Sequence, residues 1–63
     1  MKVKEYREIK GYTQEEIAGK LGINQNSYSR KENGKRGFTV KELLLLEKIL
    51  GASISELFAD LIE

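Results

Sequence analysis

Sixty-three residues with a net charge of +1 leave room for one domain of marginal stability, because a chain this short buries only about 60% of its unfolded surface. The absence of cysteine and histidine excludes disulfides, thiolate zinc sites and the commonest catalytic bases, so no enzyme, metal, cofactor or small-molecule ligand is expected. The longest apolar run, the leucines at 43–46, is far short of the roughly 20 residues that span a bilayer, and the charged start MKVKEYREIK is no signal peptide; a cytoplasmic protein without membrane contact is expected.

The charge is unevenly spread. The first 41 residues carry ten Lys or Arg against five Glu, while the rest carry Lys48 against Glu42, Glu47, Glu56, Asp60 and Glu63. A basic part and an acidic part in one small chain point to a polyanion that meets the first and not the second.

The first helix is expected over 2–10. Val3, Tyr6, Arg7 and Lys10 recur at i, i+3, i+4 and i+7, so the inward face carries Arg7 with it. Gly11 stops this helix. The second, over 14–21, opens with the capping box Thr13-x-x-Glu16, in which the threonine hydroxyl accepts from the third helical N–H and the glutamate reaches back. Ile17, Ala18 and Leu21 form its inward stripe. Gly22 then makes a tight turn, Ile23 returns to the core, and Asn24 is a good N-cap for a third helix over 25–33.

That third helix has only one strong apolar residue, Tyr28, which is too little to bury an ordinary helical face. Its polar residues are nevertheless ordered. Asn26, Ser29, Arg30 and Asn33 recur at helical spacing, and Gln25 stands at the N-terminal end. A short basic loop with Lys35 and Arg36 follows, and Phe38 is the next anchor. A fourth helix, over 40–50, opens with Thr39-x-x-Glu42, and its core stripe is expected from Val40, Leu43, Leu44, Leu46 and Leu50. A fifth, over 54–61, opens with Ser53-x-x-Glu56 and turns Ile54, Leu57 and Phe58 inward. Ser29-x-x-Glu32 also matches the capping pattern, but it falls inside the third helix and marks no start.

A helix closed by a glycine turn and followed by a polar helix with an exposed arginine matches the helix-turn-helix motif. With its flanks, the chain resembles the Cro/C1-type (XRE) helix-turn-helix family of bacterial and phage regulators. The resemblance rests on Arg7, Gly11, Thr13-Gln14, Ile17-Ala18, Leu21-Gly22-Ile23, Glu32-Asn33-Gly34-Lys35 and the run from Leu50 through Leu57. It implies an all-α, compact five-helix, lambda-repressor-like domain covering residues 1–63. It also implies a homodimer on near-palindromic double-stranded DNA, with the third helix in the major groove. By position, Gln25, Asn26 and Arg30 resemble the family's base readers, with Ser29 a lesser candidate. Gln14 resembles the glutamine that touches phosphate, and Ser27, Lys35 and Arg36 are further phosphate candidates. Gln and Asn can each hold adenine through two hydrogen bonds, and Arg can hold guanine in the same way. The resemblance also implies a buried ion pair between Arg7 and Glu32.

Three residues depart from the family pattern. Lys31 stands where an apolar residue is usual, which predicts looser docking of the third helix or a lysine reaching out to solvent. Glu47 replaces a small residue, and Leu45 a polar one. Leu45, Ile49 and Ala52, spaced i, i+4, i+7, are expected to form an exposed apolar strip, and with Leu61 and Ile62 a homodimer surface. The competing function is a protein-interaction module of the same fold, such as an antitoxin-like partner.

Overall fold

Five helices follow one another in the order expected: α1 (Val3–Ile9), α2 (Gln14–Leu21), α3 (Gln25–Glu32), α4 (Val40–Leu50) and α5 (Ile54–Leu57). The computed structural model describes residues 1–61, and among these there is no strand. The last helix is shorter than its sequence pattern suggests. Phe58 leaves helical geometry at φ −119°, and the chain continues as a 3-10 turn, Ala59–Leu61.

Local chemistry sets the helix starts. Thr13, Thr39 and Ser53 each accept from the backbone N–H three residues on, and Glu16, Glu42 and Glu56 each reach back to the cap. Asn24 caps α3 by accepting from the Ser27 N–H at 2.7 Å. The turn between α2 and α3 depends on Gly22, whose φ of +74° is costly for any residue with a Cβ. There the Ile23 N–H donates to Ala18 O at 3.0 Å and the Gly22 N–H to Gly19 O at 3.2 Å, which closes α2 and turns Ile23 back to the core.

The core draws on every helix. Val3, Ile17, Ala18, Leu21, Tyr28, Leu46, Leu50 and Leu57 are buried, with Ala52 from the α4–α5 turn. The α2–α3 contact is the most extensive between helices. The Cα radius of gyration is 10.5 Å, close to the about 11 Å expected of a tightly packed chain of this length. No helix of the described residues is long and apolar enough to cross a membrane.

Three expectations are corrected. First, Val40 and Leu44 do not join the α4 core stripe; they are 72% and 51% exposed. The buried line runs instead through Glu42, Leu46 and Leu50, and four consecutive leucines gave the sequence pattern no means of choosing it. Second, the strip of Leu45, Ile49 and Ala52 is not exposed. Ala52 is in the core, and Leu45 and Ile49 are half-buried against it, because the αL turn at Gly51 folds the chain back over the end of α4. Leu61 is exposed, and Ile62 lies outside the described residues. Third, Lys31 does not reach outward, but is buried.

The two α4 leucines that the corrected stripe separates should differ in weight. Leu46→Ala is expected to cost about 2–5 kcal/mol of unfolding free energy, and Leu44→Ala under about 1 kcal/mol. Urea unfolding of both variants measures this; equal losses would contradict the observed stripe.

Candidate nucleic-acid interface

α3 is a helix of eight residues whose buried side chains are Tyr28, Lys31 and Glu32. Tyr28 supplies the only apolar anchor, so polar contacts must do the rest. The Glu32 carboxylate accepts four hydrogen bonds. Arg7 donates through Nε to Oε2 (2.9 Å) and through Nη2 to Oε1 (3.1 Å). Gln14 Nε2 donates to Oε1 at 3.2 Å, and the Tyr28 hydroxyl donates to Oε2. Four donors fill the acceptor capacity of a carboxylate. The third Arg7 nitrogen, Nη1, donates to Tyr12 O at 2.7 Å, so the same guanidinium fixes the α1–α2 turn.

A second buried pair lies one residue away. Lys31 Nζ donates to both oxygens of Glu42, at 2.6 and 2.8 Å, and Glu42 Oε1 also accepts from the Thr39 N–H at 2.9 Å. Lys31 therefore ties the last turn of α3 to the first turn of α4. Among the described residues, no buried side-chain nitrogen or oxygen lacks a partner.

These contacts move the proton equilibria of both acids. Burial raises the pKa of Glu32, but hydrogen bonds from Arg7, Tyr28 and Gln14 outweigh it and hold the carboxyl below the usual carboxylate range. Burial likewise opposes the ionisation of Glu42, but hydrogen bonds from Lys31 and Thr39 outweigh it, and this carboxyl is also held low. Burial is the largest cause pushing the Tyr28 phenol far above its ordinary value, so it stays a donor.

The exposed side chains of α3 have no such commitments. Gln25, Asn26 and Arg30 are exposed, and their side chains make no hydrogen bond or ion pair among the described residues. Asn26 and Arg30 are one turn apart, on the face opposite Tyr28 and Glu32. Ser29 is half-buried, and its Oγ accepts from Asn33 Nδ2 at 3.5 Å. Ser27 is half-buried beside the N-terminus of α3. Gln14 is half-buried, and the amide that holds Glu32 carries a second N–H. Lys35 and Arg36 are exposed in the loop that follows α3. Among α1–α5, α3 alone has no acidic residue in its first turn, so the positive end of its dipole is uncompensated.

Two elements of this arrangement were not legible in the sequence. The Gln14–Glu32 bond joins residues 18 apart on different helices, a separation no local spacing rule covers. The Lys31–Glu42 pair was hidden because Glu42 also completes a capping box, a role sufficient to account for it. The i, i+4 spacing of Tyr28 and Glu32 was a readable signal for their bond.

A helix held in the core by Ile17, Ala18 and Leu21, a glycine-closed turn and a second helix with one anchored and one uncommitted polar face define the class: a helix-turn-helix protein of the DNA-binding type. The chain belongs to the Cro/C1-type helix-turn-helix family of DNA-binding transcriptional regulators, whose profile matches residues 3–57. It is similar to control protein C.MunI of Mycoplasma sp., 36% identical over 61 residues, which cover 95% of this chain and 82% of that protein. It is also similar to an uncharacterised HTH-type transcriptional regulator, YonR, derived from the SPbeta prophage of Bacillus subtilis. There the identity is 40% over 52 residues, 82% of this chain but 48% of the relative, so the chain spans about half of YonR. An uncharacterised HTH-type transcriptional regulator of Methanocaldococcus jannaschii is 33% identical over 57 residues, 90% of this chain and 86% of that one. No solved structure matches at a significant level.

Removing Arg7 leaves a buried carboxylate without its counter-charge, so Arg7→Met is expected to cost about 3–5 kcal/mol of unfolding free energy. An unfolding midpoint unchanged within error would contradict this. The two depressed carboxylates also set a pH dependence. A folded pKa below the unfolded value of about 4.3 contributes stability that is present above that value and lost as pH falls through the folded pKa. Stability should therefore hold from about pH 7 to about pH 5 and decline below about pH 4. Urea midpoints across this range measure it, and a flat profile down to about pH 2 would be the contrary result.

Proposed function

We propose that this chain is a sequence-specific DNA-binding transcriptional regulator that acts in the cytoplasm as a homodimer on a near-palindromic operator. Residues 1–63 serve as one DNA-binding domain. α3 lies in the major groove, where Gln25 and Asn26 face adenine edges, Arg30 faces guanine, and Ser29 gives a lesser contact. Gln14, Ser27, Lys35 and Arg36 hold the phosphate backbone. The observation that carries this reading is the contrast in pairing. Buried Arg7, Lys31, Glu32 and Glu42 all have partners, while exposed Gln25, Asn26, Arg30, Lys35 and Arg36 have none among the described residues. Polar groups held on a rigid helix without internal partners can exchange water for base edges at little rearrangement cost. The uncompensated dipole of α3 adds attraction for phosphate.

The homodimer part rests on apolar side chains that remain outside the core. Val40 and Leu44 lie one turn apart on α4 and are exposed, with half-buried Leu45 and Ile49 between them and the core line of that helix, and Leu61 is exposed beyond α5. The same side chains favour the second reading, a protein-interaction module such as an antitoxin-like partner. Affinity for a protein combined with no DNA retardation at low salt would support that alternative.

Selection of bound sequences from a random DNA pool is the direct test. A palindrome with half-sites about one helical turn apart is expected, and no enrichment at low salt would contradict the proposal. Affinity should fall with salt at a slope of about −0.9 per neutralised phosphate. Arg30→Ala should relax preference at one base position by about 1–3 kcal/mol; an equal loss on every sequence would make Arg30 a phosphate contact instead.

A further inference from the structure

The loop 33–38 brings two cations, Lys35 and Arg36, to the surface beside α3. Its inner side borders an open groove of about 520 Å³, whose far wall is Met1, Phe58 and Leu61. With open space beneath it, the loop takes its shape from how its two ends are held. At the first end, α3 closes on Gly34 (φ +77°), with the Lys35 N–H donating to Arg30 O at 2.8 Å and the Gly34 N–H to Lys31 O at 3.1 Å. At the second end, the Phe38 ring packs 6.1 Å from Tyr28 and 6.4 Å from Phe58, and Thr39 caps α4.

Besides Phe38 on Tyr28, a directed polar contact joins the two ends to each other. Lys31 and Glu42, 11 residues apart, face each other across the base of the loop, both buried. Glu42 holds Lys31 through both oxygens and the Thr39 N–H through one, so the spacing and the angle between the ends are both fixed. We propose that the Lys31–Glu42 pair is a clasp at the base of the basic loop, a positioning pair that holds Lys35 and Arg36 in register with the DNA backbone. The inference rests on the DNA-binding reading and assigns to Lys31 a role beyond docking α3.

Burial alone does not explain the pair. Two apolar side chains of similar volume would stabilise the same junction at least as well, but a non-directional contact would not set the angle between the ends. The ion pair adds direction, and it neutralises a carboxylate that would otherwise stand beside a phosphate-facing loop. A loop already ordered in its bound shape loses less freedom when it meets DNA, and this gain appears in affinity without touching a base.

The test is a thermodynamic cycle between the clasp and the loop cations. K31M/E42Q removes both charges together and leaves no orphaned charge, and glutamine still completes the capping box with Thr39. K35A/R36A removes the loop cations. Binding of the selected DNA is measured against salt for the wild type, each double variant and the quadruple variant, with circular dichroism confirming folding.

Clasp removal should flatten the salt slope by up to about two units and leave the preferred bases unchanged. K35A/R36A should then cost at least about tenfold less affinity in the clasp-free background than in the wild type. In the free protein, amide exchange at Gly34 and Lys35 should speed up about tenfold more than at Ile17 in the core. K31R, which keeps the charge and the donors, should behave as the wild type. Equal losses from K35A/R36A in both backgrounds would overturn the clasp while leaving DNA binding intact. A wild type that retards no DNA at low salt would overturn both, whatever the exchange result.

Discussion

The Glu32 carboxylate is the contact on which the arrangement of the first three helices depends. It takes hydrogen bonds from Arg7 on α1, Gln14 on α2 and Tyr28 on α3 itself. The need for such a hub follows from composition. α3 keeps polar residues outside, and eight residues with one aromatic cannot also carry an apolar stripe wide enough to dock. Hydrogen bonds to a buried charge take over that task. They are costly to leave incomplete, so the hub works only because each donor and acceptor is matched. The reward is orientation: an apolar contact tolerates rotation of α3, whereas three directed bonds from α1 and α2 do not.

The three departures from the family pattern look different once their partners are known. Lys31 is the complement of Glu42, and the pair substitutes for an apolar anchor at the junction of α3 and α4. Glu47 accepts from the Ile54 N–H at 3.0 Å, so it caps α5 from outside that helix and adds to the Ser53 cap. Leu45 packs half-buried against the core. A chain of this size has little apolar surface to spare, and it uses charges in place of some of it. The α-ammonium of Met1 follows the same logic. It lies 2.8 Å from Asp60, and the Lys2 N–H donates to Leu57 O at 2.6 Å, so the start of the chain holds down the short α5 and its 3-10 turn.

What could be read from the sequence was what is decided locally. Thr13, Thr39 and Ser53 were identifiable as helix starts because a capping box is contained in four residues, and the false match at Ser29 was excluded by its place inside a helix. Gly22 was identifiable as the turn because only a short list of residues accepts its φ. The α4 stripe was not, because VKELLLLEKIL offers several apolar faces and only tertiary packing selects among them. Ala52 was misplaced for a related reason: it was counted along the α4 helix, although Gly51 had already turned the chain. The end of α5 failed differently. Phe58 and Leu61 fit a helical pattern, and the chain tightens into a 3-10 turn there all the same. The uncommitted side of α3 was readable as a periodic polar pattern; on its anchored side the Arg7–Glu32 pair was implied by the family resemblance, while the Gln14 and Glu42 partners were not legible.

Anchoring and the proposed recognition are therefore divided within one helix of two turns. Tyr28, Lys31 and Glu32 point one way and are consumed by the protein; Asn26 and Arg30 point the other and are not. The division explains why so polar a segment folds at all, and why it can vary. Residues on the uncommitted face carry no internal bonds, so a change there leaves the hub undisturbed and, on the proposed reading, alters what is recognised. Residues on the anchored face are bound to α1, α2 and α4, and a change there moves the whole helix. On the proposed reading, a fold built this way can exchange one DNA target for another through a few exposed side chains, because the free energy that positions α3 is drawn from the other side of it.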